Sequence, residues 1–129
     1  MNVFLEWNKC KAGTWCAFSD LDLDHEHFEE IEGVFIIWYG EQNPVALLVG
    51  EGCIRDCLAK ERNNEAICAI GEQRQLYVTW AITGSNFRIG VVRFIAEAVK
   101  PKLASHYPDV TPIEVNLPAP WYKEEFPWD

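Results

Sequence analysis

The sequence predicts an α+β domain: a small three-stranded antiparallel sheet flanked by helices, with an amino-terminal arm and an irregular carboxyl-terminal segment. Three observations predict it. Two short apolar runs, Gly33-Val34-Phe35-Ile36-Ile37-Trp38-Tyr39 and Val45-Ala46-Leu47-Leu48-Val49-Gly50, are rich in β-branched and aromatic residues and read as buried strands. The five residues between them, Gly40-Glu41-Gln42-Asn43-Pro44, are turn formers, so a hairpin is the natural connection. A third run, Gln75 to Ile82, has the strongest strand propensity in the chain and is followed by a long helical pattern.

In chain order, residues 1–18 set Phe4, Trp7, Trp15 and Phe18 among small polar residues and read as an extended arm, with a loop at Lys11-Ala12-Gly13-Thr14. Leu21 and Leu23 alternate with Asp20, Asp22 and Asp24, which predicts a half-exposed strand or edge segment. After the hairpin, Cys53 to Arg62 is polar with apolar residues at helical spacing. Asn63-Asn64 offers an N-cap for a short helix over Glu65 to Ile70, which Gly71 closes. Gly84-Ser85-Asn86 caps a helix from Phe87 to Lys100. Phe87, Val91, Phe94, Ile95, Ala98 and Val99 share its apolar face, Arg93 and Glu97 pair outside, and Pro101 ends it. Ile113 to Leu117 reads as one more extended run, and Trp121 to Asp129 as a packed or frayed tail. One domain over 1–129 is expected: arm and acidic segment to residue 32, core over 33–117, tail over 118–129.

Composition excludes several classes. Hydrophobic residues make up 49% of the 129 positions, with six tryptophans, which argues for a packed core over disorder. No apolar run reaches the roughly 18 residues of a membrane span, and residues 1–6 lack the pattern of a secretion signal, so a cytoplasmic setting without membrane contact is expected. In that setting Cys10, Cys16, Cys53, Cys57 and Cys68 should be free thiols. A formal net charge of −9 opposes generic binding of nucleic acid, whose affinity depends on neutralising phosphates; a protein partner is the better expectation.

Candidate sites are sparse. Asp20, Asp22, Asp24, Glu26, Glu29, Glu30 and Glu32 form an acidic run with no Lys or Arg; it reads either as a site for a cation or basic partner or, more ordinarily, as a solvated face. His25 and His27 would share one side of an extended segment, but no third metal ligand follows at defined spacing. Cys53 and Cys57 lie one helical turn apart without a second pair; small half-buried core residues are the plain alternative to zinc ligands.

From Gly33 to Asn116 the order of elements resembles the GIY-YIG nuclease superfamily. Gly33-Val34-Phe35 stands at the first signature and Leu48-Val49-Gly50 at the second; Cys57 falls at the arginine of the first helix and Val92 at the glutamate of the last, with Asn116 at the late asparagine. In that family the glutamate holds a divalent cation, tyrosine hydroxyls prepare the attacking water, and the arginine offsets charge on the phosphate. Here Phe35 lacks the hydroxyl, Leu48 lacks ring and hydroxyl, Cys57 is no cation at neutral pH, and Val92 cannot bind a metal. The two glycines remain. Tyr39 and Tyr77 keep hydroxyls away from the signature positions.

The resemblance therefore implies a nuclease fold without its catalysis: a binding or interaction module with no catalytic residues and no cofactor, leaving Arg55, Arg62, Arg88 and Asn116 as candidate binding residues. Phe35, Leu48, Cys57 and Val92 should face one side of the sheet. Two alternatives stand beside it. One is a divergent metal-dependent endonuclease or phosphodiesterase that would use Mg²⁺ or Mn²⁺, with Arg55, Arg62 or Arg88 and carboxylates of the acidic run. The other is a metal or thiol protein built on Cys53, Cys57 and His27.

Overall fold

The structure, a computed structural model, describes residues 2–103 and 107–121. Strands β3 (Glu32–Tyr39) and β4 (Val45–Cys53) form the expected hairpin, and β5 (Tyr77–Ile82) pairs antiparallel with β3. The sheet has four strands rather than three. A two-residue strand, β2 (Cys16–Ala17), joins at the free edge of β5, giving the order β2-β5-β3-β4. A strand of two residues is too short to leave a pattern, so the arm hid it. Two further short strands, β1 (Asn2–Val3) and β6 (Glu114–Val115), pair parallel in a separate ribbon.

The helices are α1 (Ile54–Glu61), α2 (Glu65–Gly71) and α3 (Ser85–Val99). Asn64 caps α2 as its sequence suggests, its side-chain oxygen accepting from the N–H groups of Ala66 and Ile67 at 3.0 and 3.4 Å. The Arg93–Glu97 pair on α3 is present at 2.7 Å. The acidic segment is not a strand: it runs through turns and a 3-10 turn at Glu26–Phe28, burying Leu23 and Phe28 while its carboxylates stay exposed. Aspartates at that density favour local turns over a ladder; Asp22 accepts a hydrogen bond from the Asp24 N–H at 3.0 Å. Of the expected tail, residues 122–129 lie outside those described.

Alternation along β3 divides the core in two. Phe35 and Ile37 face a cluster with Ile54 and Leu58 of α1, Ile67 of α2, and Phe18, Leu23 and Phe28 of the preceding segment. Val34, Ile36 and Trp38 face the other way, toward Val91, Val92 and Ile95 of α3 with Leu5 and Val115. Pairing shifts between Ile37 and Trp38, so Leu47 is an extra residue between Leu48, opposite Ile37, and Ala46, opposite Trp38. This bulge is why the consecutive Leu47 and Leu48 both pack on the first cluster.

Gly33 and Gly50 are spatial necessities. A Cβ on Gly33 would lie 2.0 Å from the Ala81 carbonyl oxygen of the neighbouring strand. A Cβ on Gly50 would lie 2.6 Å from the Phe35 ring, which covers this cross-strand partner. The outer edge of β4 is closed by residues 102–103, whose N–H groups donate to the carbonyls of Ala46 and Leu47 at 3.0 and 2.9 Å.

Cys10 and Cys16 form a disulfide, with Cα atoms 5.1 Å apart, whereas Cys53, Cys57 and Cys68 are free. The expectation of five free thiols therefore fails for two of them. The loop expected at 11–14 folds back on itself and brings the two sulfurs together.

Candidate functional site

The four positions matched to nuclease chemistry do not assemble. Phe35 and Leu48 are on neighbouring antiparallel strands, as expected, and with Cys57 they pack on the first cluster. Val92 is buried in the second cluster, across the sheet. The expected single-sided arrangement is thus corrected. The α3 helix presents Val91, Val92 and Ile95 to the sheet face opposite α1, so the register counted along the chain lands on the wrong side. Glu97 does not replace Val92: it is exposed and paired with Arg93.

The four candidate binding residues act as fasteners. Arg55 donates from Nε to the Leu23 carbonyl at 2.6 Å and from Nη2 to that of His25 at 3.1 Å. Arg62 donates from Nη2 to the Phe18 carbonyl at 3.0 Å and to that of Leu21. Together they strap the segment before β3 onto α1. Arg88 bridges the hairpin base, 3.0 Å from Glu51 and 3.4 Å from Glu32. Asn116 clasps Leu5, accepting from its N–H at 2.7 Å and donating to its carbonyl at 2.9 Å. These partners lie 30 to 111 residues away from Arg55 and Asn116 in the chain, and most are backbone oxygens, which carry no mark in a sequence.

Among the described residues no three His, Cys, Asp or Glu side chains converge. His25 turns Nδ1 inward to accept the His27 N–H at 3.0 Å, and the His27 ring sits edge-on to Phe28 and Trp80. Cys57 donates to the Glu51 carbonyl at 3.5 Å. Burial pushes its thiol above the ordinary value, with Cys53 and the Glu51 carboxylate adding to the shift. Cys57 is expected to react with N-ethylmaleimide at pH 8 about tenfold more slowly than exposed Cys68, read by peptide mass spectrometry over time. Equal rates would show that Cys57 is neither shielded nor held protonated.

One groove does have the makings of a site. It has a volume of about 750 Å³ and lies between α2, the turn into β5, and the residues after β2. Phe18, Ile67 and Leu76 are its buried floor; Arg62, Arg74 and Glu72 are on its walls. The capping of α2 by Asn64 sets one wall. Gly71 allows the Leu76 side chain close by, within 3.3 Å of where a Cβ would stand. The Arg74 guanidinium lies 4.9 Å from the centre of the Tyr39 ring, which orients it without neutralising it. Arg62 is the one predicted binding residue found here; Arg74 was missed. Its only sequence signal is a polar Gln73-Arg74-Gln75 stretch between a helix end and a strand.

The fold and groove define a class: an α+β protein whose four-stranded antiparallel sheet separates two apolar clusters, with a half-open groove on one side. Comparisons with protein-family models, with curated proteins and with solved structures give no match.

Proposed function

We propose that this chain is a binding module without catalytic activity. The occupant we assign to the groove is an extended protein segment that combines an apolar side chain with a carboxylate. The observation that carries this reading is the groove's composition: an apolar floor flanked by two arginines and a single acid, in a chain of net charge −9. An apolar anchor would displace water from Phe18, Ile67 and Leu76. A carboxylate would meet the Arg74 fork, a geometry that guanidinium groups favour. No helix among the described residues is long and apolar enough to cross a membrane.

Peptides selected from a displayed random library against the protein test this. They should combine an aromatic or aliphatic residue with Asp or Glu, and Arg74→Glu should weaken them at least about tenfold, the equivalent of ~1.4 kcal/mol. Lys100→Glu, outside the groove lining, should leave their affinity unchanged. Peptides indifferent to Arg74→Glu would remove the groove from the proposal. Plasmid and single-stranded DNA incubated with Mg²⁺ or Mn²⁺ should remain intact. Cleavage would instead favour the metal-dependent endonuclease alternative.

A further inference from the structure

Cys10 is exposed and Cys16 is buried, and their bond ties the arm to the sheet at its weakest point. Cys16 opens β2, which has only two residue pairs with β5, Cys16 with Val78 and Ala17 with Tyr77. Trp15, just before it, turns to the other side and meets Trp38 edge-on, with ring centres 5.7 Å apart. Phe18, just after it, donates its N–H to the Leu76 carbonyl at 2.9 Å and lines the groove. Inside the closed loop Ala12 holds a left-handed backbone, φ 59°, unfavourable for a residue with a Cβ.

We propose that the Cys10–Cys16 disulfide is a reversible redox latch holding residues 10–18 on the sheet, released by dithiol reductants. A disulfide with one exposed cysteine is open to attack from that side and is of the labile rather than the sealed kind. One thiolate of the dithiol attacks the Cys10 sulfur. The S–S bond breaks, and Cys16 leaves with the electron pair and takes up a proton from water. The second thiol of the reductant, deprotonated, then attacks the mixed disulfide and releases Cys10, which is protonated in turn. The reductant departs as its own disulfide, and two electrons have passed to the protein. With the latch open, the two pairs of β2 compete with fraying, Trp15 can leave Trp38, and the displacement reaches the groove through Phe18 and its carbonyl contact with Arg62.

The experiment uses the full chain, oxidised in air and then treated with dithiothreitol. Alkylation before digestion should find Cys10 and Cys16 linked in the oxidised sample and both modified in the reduced one. Hydrogen exchange at Phe18 should quicken by about tenfold or more on reduction, with a red shift of tryptophan emission as Trp15 becomes wetter. Cys10→Ser should exchange like the reduced protein and ignore dithiothreitol. The triple variant Cys53→Ser, Cys57→Ser, Cys68→Ser should respond like the parent, since those three thiols take no part. Finding both cysteines alkylated in the air-oxidised protein would overturn the proposal. So would a disulfide whose reduction leaves exchange over residues 10–18 unchanged.

Discussion

Gly33→Ala should destabilise the protein by at least about 3 kcal/mol, although the backbone there is one that alanine can adopt. The obstacle is space. The new Cβ would stand 2.0 Å from the Ala81 carbonyl oxygen, and both atoms belong to paired strands in the middle of the sheet. Relief requires β3 and β5 to separate at the Gly33–Ile82 pair, which disturbs ladder hydrogen bonds on either side. Gly84→Ala serves as a comparison: its nearest contact would be the Phe87 ring at 3.6 Å, and an exposed N-cap glycine replaced by alanine should cost less than about 1 kcal/mol. Urea unfolding of the two variants beside the parent measures both. Similar midpoints for Gly33→Ala and Gly84→Ala would show that the strands give way easily at residue 33.

Val92→Glu should lose roughly 3–4 kcal/mol, and Mn²⁺ should not restore it. Val92 is 4% exposed, in a cluster with Val91, Ile95, Val34 and Ile36, so a carboxylate there has no water and no cation. Burial would raise its pKa. The sign of the pH dependence follows. The carboxyl is neutral in both states below the unfolded value of about 4.3, where the penalty is smallest; the penalty grows as pH rises from there toward the raised folded pKa. A metal could offset this only with further ligands, and no group of three converges among the described residues. Melting curves at pH 5 and pH 8, with and without Mn²⁺, provide the check. Recovery by the metal would place residue 92 in a cation site and restore the nuclease correspondence that its position across the sheet denies.

Which parts of this were legible in the sequence follows from the range of the forces involved. The β3–β4 hairpin, the third strand, three helices and the Asn64 cap were readable because each depends on neighbours within a few residues: runs of β-branched side chains, turn formers, helical spacing, a side-chain oxygen beside free N–H groups. The glycines at 33 and 50 were legible as special, though their reasons are neighbours from other strands, the Ala81 oxygen and the Phe35 ring. The acidity of residues 20–32 was plain, but not the turns it adopts. The turns themselves follow from local aspartate bonds such as Asp22 with the Asp24 N–H; what ties the segment down is Arg55 of α1 and Arg62 just after it reaching back to carbonyls, contacts without sequence signature.

Tertiary structure alone decided the rest. A count along α3 identifies which residues share a face, not which side of the sheet the helix will cover, and that choice placed Val92 opposite Phe35. The Cys10–Cys16 bond needed the loop at 11–14 to take a left-handed backbone at Ala12, which alanine's propensity does not announce. The groove exists because α2, the turn before β5 and the residues after β2 close on one another, so that Phe18 and Arg74, 56 positions apart, border the same space. Local preferences determined the elements of this protein. The chemistry of its surface was decided when those elements packed, because packing spends some charges on internal fastening and leaves others, such as Arg74, facing outward.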